Sequence, residues 1–428
     1  MKVNPNNIFN NQKKDIFVFS ILFSIIPISL ITGPALPDII LSSIALYFLI
    51  ISIKDRLFYY YKNYFVIFFF IFSIYGIINS LTSDYPWYSL SNEGTLFYFR
   101  YIFFALGIKY LLENNEHLLK YFIYISLICI LTLVIDGFIQ LISGKNILGV
   151  KPLSASRITS LMFDNEAILG RYVAYLSCII ICVSLIYNNS KFGWLYLLIV
   201  PLSLALIIIS GDRAPLLRYL IFLFFLIFVI HKYKKIYIFS LFASFLILLV
   251  LIFSITSVKQ RFINQTINQI NYEKSIFYMP YTKVYEDIYL AAIDLGKDKF
   301  FFGQGPNLFE KKCISDYALK NNKVCQSHPH NFYLQLWAEQ GFLGIFFILI
   351  FYLTLCFIFI RNYFYKFKNT NKEESFFKNN CFIIALLSFI FPIIPNMSFY
   401  NNWNNIFLYT MIGLLLYFND NLFKTRSF

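Results

Sequence analysis

Residues 236 to 256 read IYIFSLFASFLILLVLIFSIT, a run without a charged side chain that is entered over Lys232, Lys234 and Lys235. About 20 such residues, wound as a helix, cross the ~30 Å hydrocarbon layer of a bilayer and satisfy every backbone hydrogen bond internally. Comparable runs lie near 16–32, 38–53, 64–81, 96–112, 120–142, 167–187, 193–210, 214–231, 341–361, 381–396 and 401–418. The pattern predicts an all-α, polytopic membrane protein of about twelve transmembrane helices. Composition agrees, with 59% hydrophobic and only 14% charged residues and a mean hydropathy of +0.64, where soluble chains carry about 25% charged residues. A soluble enzyme is excluded. The net charge of +14 would raise the question of nucleic acid in a soluble chain. In this one the cations belong to loops and orient the protein among membrane lipids, and no nucleic-acid partner is expected.

The organisation expected is nine helices in 1–256, one large extracytoplasmic loop in 257–340, and three more helices with a cytoplasmic tail in 341–428. The first apolar run follows Lys13 and Lys14 without an A-x-A cleavage pattern, so a retained anchor is expected. Lys2; Lys54, Arg56 and Lys62; Lys191; Lys232 to Lys235; Arg361 to Lys378; and Lys424 with Arg426 fall on alternate loops, which puts both termini in the cytoplasm. The opposite loops, such as 82–95 with Asp84 and Glu93, carry little positive charge. The short connection around Tyr187 to Gly193 argues against a transporter of two symmetric halves.

Charges within spans are functional candidates, because the bilayer interior disfavours them. Asp38, Arg100, Asp136, Arg171 and Arg218 are such residues, and on this topology all lie near the outer surface. Interfacial snorkelling or an internal ion pair is the simpler reading of any one of them. Arg157 and Arg213, the latter in the turn Gly211-Asp212-Arg213, sit on the outer side, where positive charge is disfavoured. Arginine's planar fork binds phosphate oxygens in pairs, so these positions suggest an anion, a pyrophosphate or a lipid headgroup.

Two of the 4 histidines, His328 and His330, stand together in HPHNFYLQLWAEQGFLG, residues 328–344. Asn331 is placed to cap a helix running from the histidines into the following span. The helix N-terminus then puts His330 where negative charge is favoured. A metal is not expected, since H-x-H lacks further ligands at a recognised spacing. Imidazole suits general acid/base work near neutral pH.

This segment resembles the signature of the O-antigen ligase and polymerase superfamily, bacterial inner-membrane glycosyltransferases with an H-N-x-x-L-x-x-x-x-E-x-G pattern after a large periplasmic loop. RITSLMFDNEAILG (157–170), ISGDRAPLL (209–217), FFGQGPNLF (301–309) and Asn401-Asn402-Trp403-Asn404 agree. The resemblance implies a GT-C-like membrane enzyme of the inner membrane, acting on the periplasmic side without a cofactor. The donor would be a glycan on undecaprenyl pyrophosphate and the acceptor lipid A-core or another glycan. His330 would be catalytic, and Arg157 and Arg213 would hold donor phosphates. Arg171 and Arg218 join them by position, with His328, Asn331, Glu339, Asp164 and Glu166 in support. Glu339 lies nearly opposite His330 on the same helix, so a structural role is expected of it. The alternatives are an O-antigen polymerase and a lipid-linked oligosaccharide flippase, although a flippase should carry charge through the whole membrane depth. Cys313 and Cys325 flank a polar stretch of the loop in an oxidising compartment, where a disulfide is expected. Gly303-Gln304-Gly305-Pro306 lacks the strand and helix of a phosphate loop and reads as a tight turn.

Overall fold

The computed structural model describes residues 5–91, 95–154, 156–163, 166–187, 197–230, 233–271, 283–318, 325–368 and 373–419. The 187–193 connection beyond Tyr187, Asp164, Glu93 and the loop cations Lys2, Lys191, Lys232, Lys372, Lys424 and Arg426 lie outside them. Each apolar run forms a helix over most of its described length, except 381–396. The first is shared by α1 (Pro5–Ser24) and α2 (Ile26–Thr32), followed by α3 (Ala35–Lys54) and α4 (Tyr64–Leu81). A short helix α5 (Pro86–Ser91) precedes α6 (Arg100–Asn114), α7 (Leu118–Ser143) and α8 (Leu169–Tyr187). Then come α9 (Ile199–Ile209), α10 (Arg213–Val229) and α11 (Lys234–Ser254). Among the described residues there is no strand, only an isolated bridge between Ser154 and Arg157.

Among the described residues seven helices are long and apolar enough to cross a membrane, and an eighth span is formed if α1 and α2, bent by 48°, count as one. The sequence suggests about twelve because apolar runs are easier to see than their helical ends. Within the described part of the 193–210 run, α9 has 11 residues, roughly 17 Å. α10 has 17 residues and carries Arg213 and Arg218. The run at 381–396 leaves its helix after Phe389, and turns at Pro392 and Pro395, which lack a donor N–H, carry the chain on. Burial orders the bundle. In α8, 83% of the spanning window is buried, whereas in α11 it is 17%. Phe239, Phe242 and Phe253 of α11 are 71%, 59% and 68% exposed, an apolar face fit for lipid and not for water.

Beyond α11 the chain forms a helical cap: α12 (Thr256–Lys259), a π-helical turn at Gln260–Asn264, α13 (Gln265–Asn271), α14 (Lys283–Asp298) and α15 (Phe309–Lys312), which runs on into a second π-helical turn. Ile288, Ala291, Leu295, Phe309 and Ala338 form its small core. Cys313 and Cys325 are joined by a disulfide with their Cα atoms 5.9 Å apart.

The chain then enters α16 (Phe332–Lys368), α17 (Glu373–Phe389) and α18 (Asn402–Phe418). Asn331 caps α16, its Oδ1 accepting from the Tyr333 and Leu334 amides at 2.9 and 3.2 Å. The helix does not run straight into the membrane: it breaks at Gly341, φ 65° and ψ −156°. The break is filled by the 300–305 turn, whose Phe300 carbonyl accepts from Phe342 N at 2.7 Å while Gln304 N and Gly305 N donate to the Ala338 and Glu339 carbonyls at 2.9 and 2.8 Å. A side chain at Gly303 or Gly341 would meet the other's backbone within 2.6 Å. FFGQG is therefore a structural splint for the helix break, and the backbone conformation explains its glycines.

Candidate active site

His330 occupies the last residue but one before α16, in a left-handed conformation with φ 54° that side chains disfavour. Its carbonyl accepts from Asn396 N at 2.6 Å. Its ring stands 4.1 Å from that of His328 and 5.6 Å, edge to face, from Tyr285 of α14. Burial, reinforced by the charge of Arg171 from α8, holds the His330 imidazole below its ordinary value. Burial, then His330 and Arg171, pushes His328 down to about 3. Both rings are thus neutral near pH 7, and a neutral imidazole accepts a proton. The His328 Nε2 is buried without a hydrogen-bond partner, as is Arg171 Nε.

A second group of cations is built on the turn between α9 and α10. Gly211, at φ +73°, lies so close to the Ser156 carbonyl that no Cβ fits. That contact brings the 154–160 loop against the turn, and Arg157 Nη2 pairs with Asp212 at 2.7 Å. The other oxygen of Asp212 accepts from Gly170 N at 3.1 Å, tying both to the start of α8. Arg213 Nη2 donates to the Arg261 carbonyl at 2.7 Å, and Arg261 Nε returns to the Gly211 carbonyl at 3.1 Å. Burial and the nearby Arg157 hold the Arg261 guanidinium below its ordinary value. Three arginines therefore share one short turn. Like charges gathered on one turn raise the local positive potential, which favours an anion there.

Of the charges expected at one level, not all reach this place. Asp38 and Arg100 pair at 2.8 Å, and Arg100 also donates to Asn402 at 2.7 Å. That is a closed clasp between α3, α6 and α18. Asp136 is fully buried and accepts from Ile147 N and Ser160 Oγ, both at 2.7 Å. It pins the loop that presents Arg157. Arg218 is 1% exposed and spends its guanidinium on Tyr175 Oη and the carbonyls of Ile394 and Pro395, at 3.2, 3.0 and 2.8 Å. A donor phosphate at Arg218, as position in the sequence suggests, would have to displace those bonds in a sealed site. Glu339 is fully buried beneath the cap, accepting from Phe309 N and Gln335 Nε2 at 3.2 Å each. Glu166 is exposed, and Asp164 lies outside the described residues.

The residues that sequence reasoning passes over are Arg261 and Tyr285. Arg261 carries the same signal as Arg157 and Arg213, an arginine in a segment that the loop charges assign to the side poor in cations. Tyr285 is one of 33 tyrosines and carries no local signal. Among the described residues no three His, Cys, Asp or Glu side chains converge as metal ligands. No curated protein matches the chain at significant similarity. A family model described as O-Antigen ligase matches residues 197–349, the stretch that holds the arginine turn, Arg261, Tyr285 and both histidines. Over residues 197–349 the chain is thus similar to the O-antigen ligase family.

Proposed function

We propose that the protein is a membrane glycosyltransferase that moves a glycan from undecaprenyl pyrophosphate to a sugar hydroxyl of lipid A-core, on the periplasmic face of the inner membrane. The observation that carries this reading is a neutral imidazole, His330, beside Arg171 and connected through Tyr285 to Arg261, which shares its turn with Arg157 and Arg213. In the transfer, the acceptor oxygen attacks the anomeric carbon while the bond from that carbon to the phosphate oxygen breaks. The electron pair leaves on the pyrophosphate, where guanidinium forks spread the new charge. The hydroxyl proton passes to His330, and attack from the side opposite the leaving group inverts the anomeric centre. Pyrophosphate is a good leaving group, so alignment and charge neutralisation are the protein's tasks. The arginines supply the positive charge that a metal would otherwise bring, and turnover is expected to persist in EDTA.

The acceptor is tested by the lipopolysaccharide of a deletion strain. Loss of all O-antigen from core, with lipid-linked polymer accumulating, supports the ligase reading. A single repeat capping the core would instead mark a polymerase, and O-antigen precursors retained on the cytoplasmic leaflet would mark a flippase.

A further inference from the structure

The segment between α17 and α18, residues 390–401, is irregular backbone, yet Ile394 and Asn396 within it are 2% and 3% exposed. Buried irregular chain must find partners for its peptide groups, and here one side chain serves two of them. Arg218 Nη2 donates to the Ile394 and Pro395 carbonyls, and Nη1 to Tyr175 Oη. Tyr175 Oη in turn donates to Asn396 Oδ1 at 3.2 Å. Asn396 N closes the chain on the His330 carbonyl at 2.6 Å. From the other side the start of α16 grips the same segment, with Asn331 Nδ2 on the Pro392 carbonyl at 2.7 Å and Tyr333 Oη on the Ile390 carbonyl at 2.9 Å.

We propose that Arg218 is a positioning residue: through the 394–396 backbone and Tyr175 it fixes Asn396 against the His330 carbonyl, and so holds His330 in the left-handed conformation that sets its ring beside Tyr285 and His328. A non-glycine residue with φ near +54° lies in a sparsely populated region and persists only where its surroundings over-determine it. Arg218 does not touch substrate. Its charge is stabilised by carbonyl dipoles in a sealed position, and arginine is the side chain that reaches three acceptors from one planar head. A lysine there would keep the charge but not the fork.

This inference rests on the reading that His330 acts in glycan transfer, and the test separates the two. Full-length Arg218→Lys and Tyr175→Phe are purified in detergent and assayed with an undecaprenyl-pyrophosphate-linked repeat, beside His330→Ala. Displacement of a reacting group by about 1 Å loses on the order of 100-fold in rate. Arg218→Lys is therefore expected to lose about 10- to 100-fold in kcat with the donor KM within about twofold of wild type. The acid limb of its kcat/KM profile moves up toward the ordinary imidazole value as His330 loosens into solvent. Tyr175→Phe keeps the ring packing on Phe389 and Phe407 and loses only the hydroxyl link, so a smaller fall in kcat with unchanged KM is expected. A raised donor KM with normal kcat in Arg218→Lys would overturn the proposal in favour of phosphate binding. Wild-type kinetics and pH profile in Tyr175→Phe would overturn it too, and that variant alone decides if Arg218→Lys does not fold. If instead His330→Ala retains full activity, the reading of the site itself fails, whatever the other variants do.

Discussion

Two places in this protein put arginines into apolar helices near one end of the bundle, and they are built on opposite plans. At the first, Arg100 meets Asp38 at 2.8 Å and Asn402 at 2.7 Å, so each charge has an opposite one inside the fold. At the second, Arg157, Arg213 and Arg261 crowd one turn where Asp212 pairs with Arg157, while Arg171 lies beside two neutral histidines with its Nε unpartnered. The first is closed and the second open. An ionisable residue within a span is thus no sign of function by itself. What distinguishes a site from a clasp is whether the charge is already answered.

The comparison is broken most severely at Arg213. Arg213→Ala is expected to lower kcat/KM for the lipid-linked donor by about 100- to 1,000-fold, the size typical of removing one preorganised donor to developing negative charge. Arg213→Lys recovers only part, because an ammonium keeps charge without the bidentate fork. Full recovery by lysine would reduce the open site to a patch of positive potential. Next comes the cap that carries Tyr285. Closing the 12-residue separation between Cys313 and Cys325 stabilises the cap by about 3 kcal/mol in the chain-entropy model. The double serine variant should lose that order of stability in the cap while the Asp38–Arg100 clasp is untouched, as read by hydrogen exchange; peptide mapping without reductant checks the bond itself. Two free thiols in protein exported to an oxidising compartment would contradict the pairing.

A smaller effect is expected in the pH profile. His330 sits below its ordinary value because it is buried near Arg171. Its base form is therefore present above that lowered value, and kcat/KM should fall only as pH drops through it, below about 6.5. An acid limb at or above 6.5 would mean a solvated, unshifted imidazole. The smallest effect belongs to the closed clasp. Asp38→Asn leaves Arg100 on Asn402, and since both ionic partners are partly exposed the loss is expected to be at most about 1 kcal/mol of stability, with donor kinetics unchanged. A large fall in kcat for Asp38→Asn would erase the distinction between the two places.

Much of this plan is legible in the chain itself, and what is not has a physical reason. Apolar runs show every helix of the bundle, since burial in lipid is a local demand on composition. Their ends are less visible: α17 stops after Phe389, short of Pro392 and Pro395, although the apolar run continues to 396. Asn331 and the His328–His330 pair stand out because capping and acid/base chemistry need particular residue types at particular spacings. The break at Gly341 is hidden because its cause, the Phe300 to Gly305 turn, arrives from 36 or more residues earlier in the chain. Arg218 reads as a site residue for the same reason: its carbonyl partners lie in a segment more than 170 residues away.

Transfer by the purified protein tests the central claim most directly. Wild type and His330→Ala, both verified as folded by gel filtration, are given an undecaprenyl-pyrophosphate-linked glycan and lipid A-core in detergent with EDTA throughout. Wild type should form the glycan-lipid A-core product with inverted anomeric configuration, and His330→Ala should fall by about 100- to 10,000-fold, the range contributed by general acid/base catalysis. Turnover near wild type in His330→Ala, or a wild-type enzyme silenced by the chelator, would contradict a histidine-and-arginine mechanism.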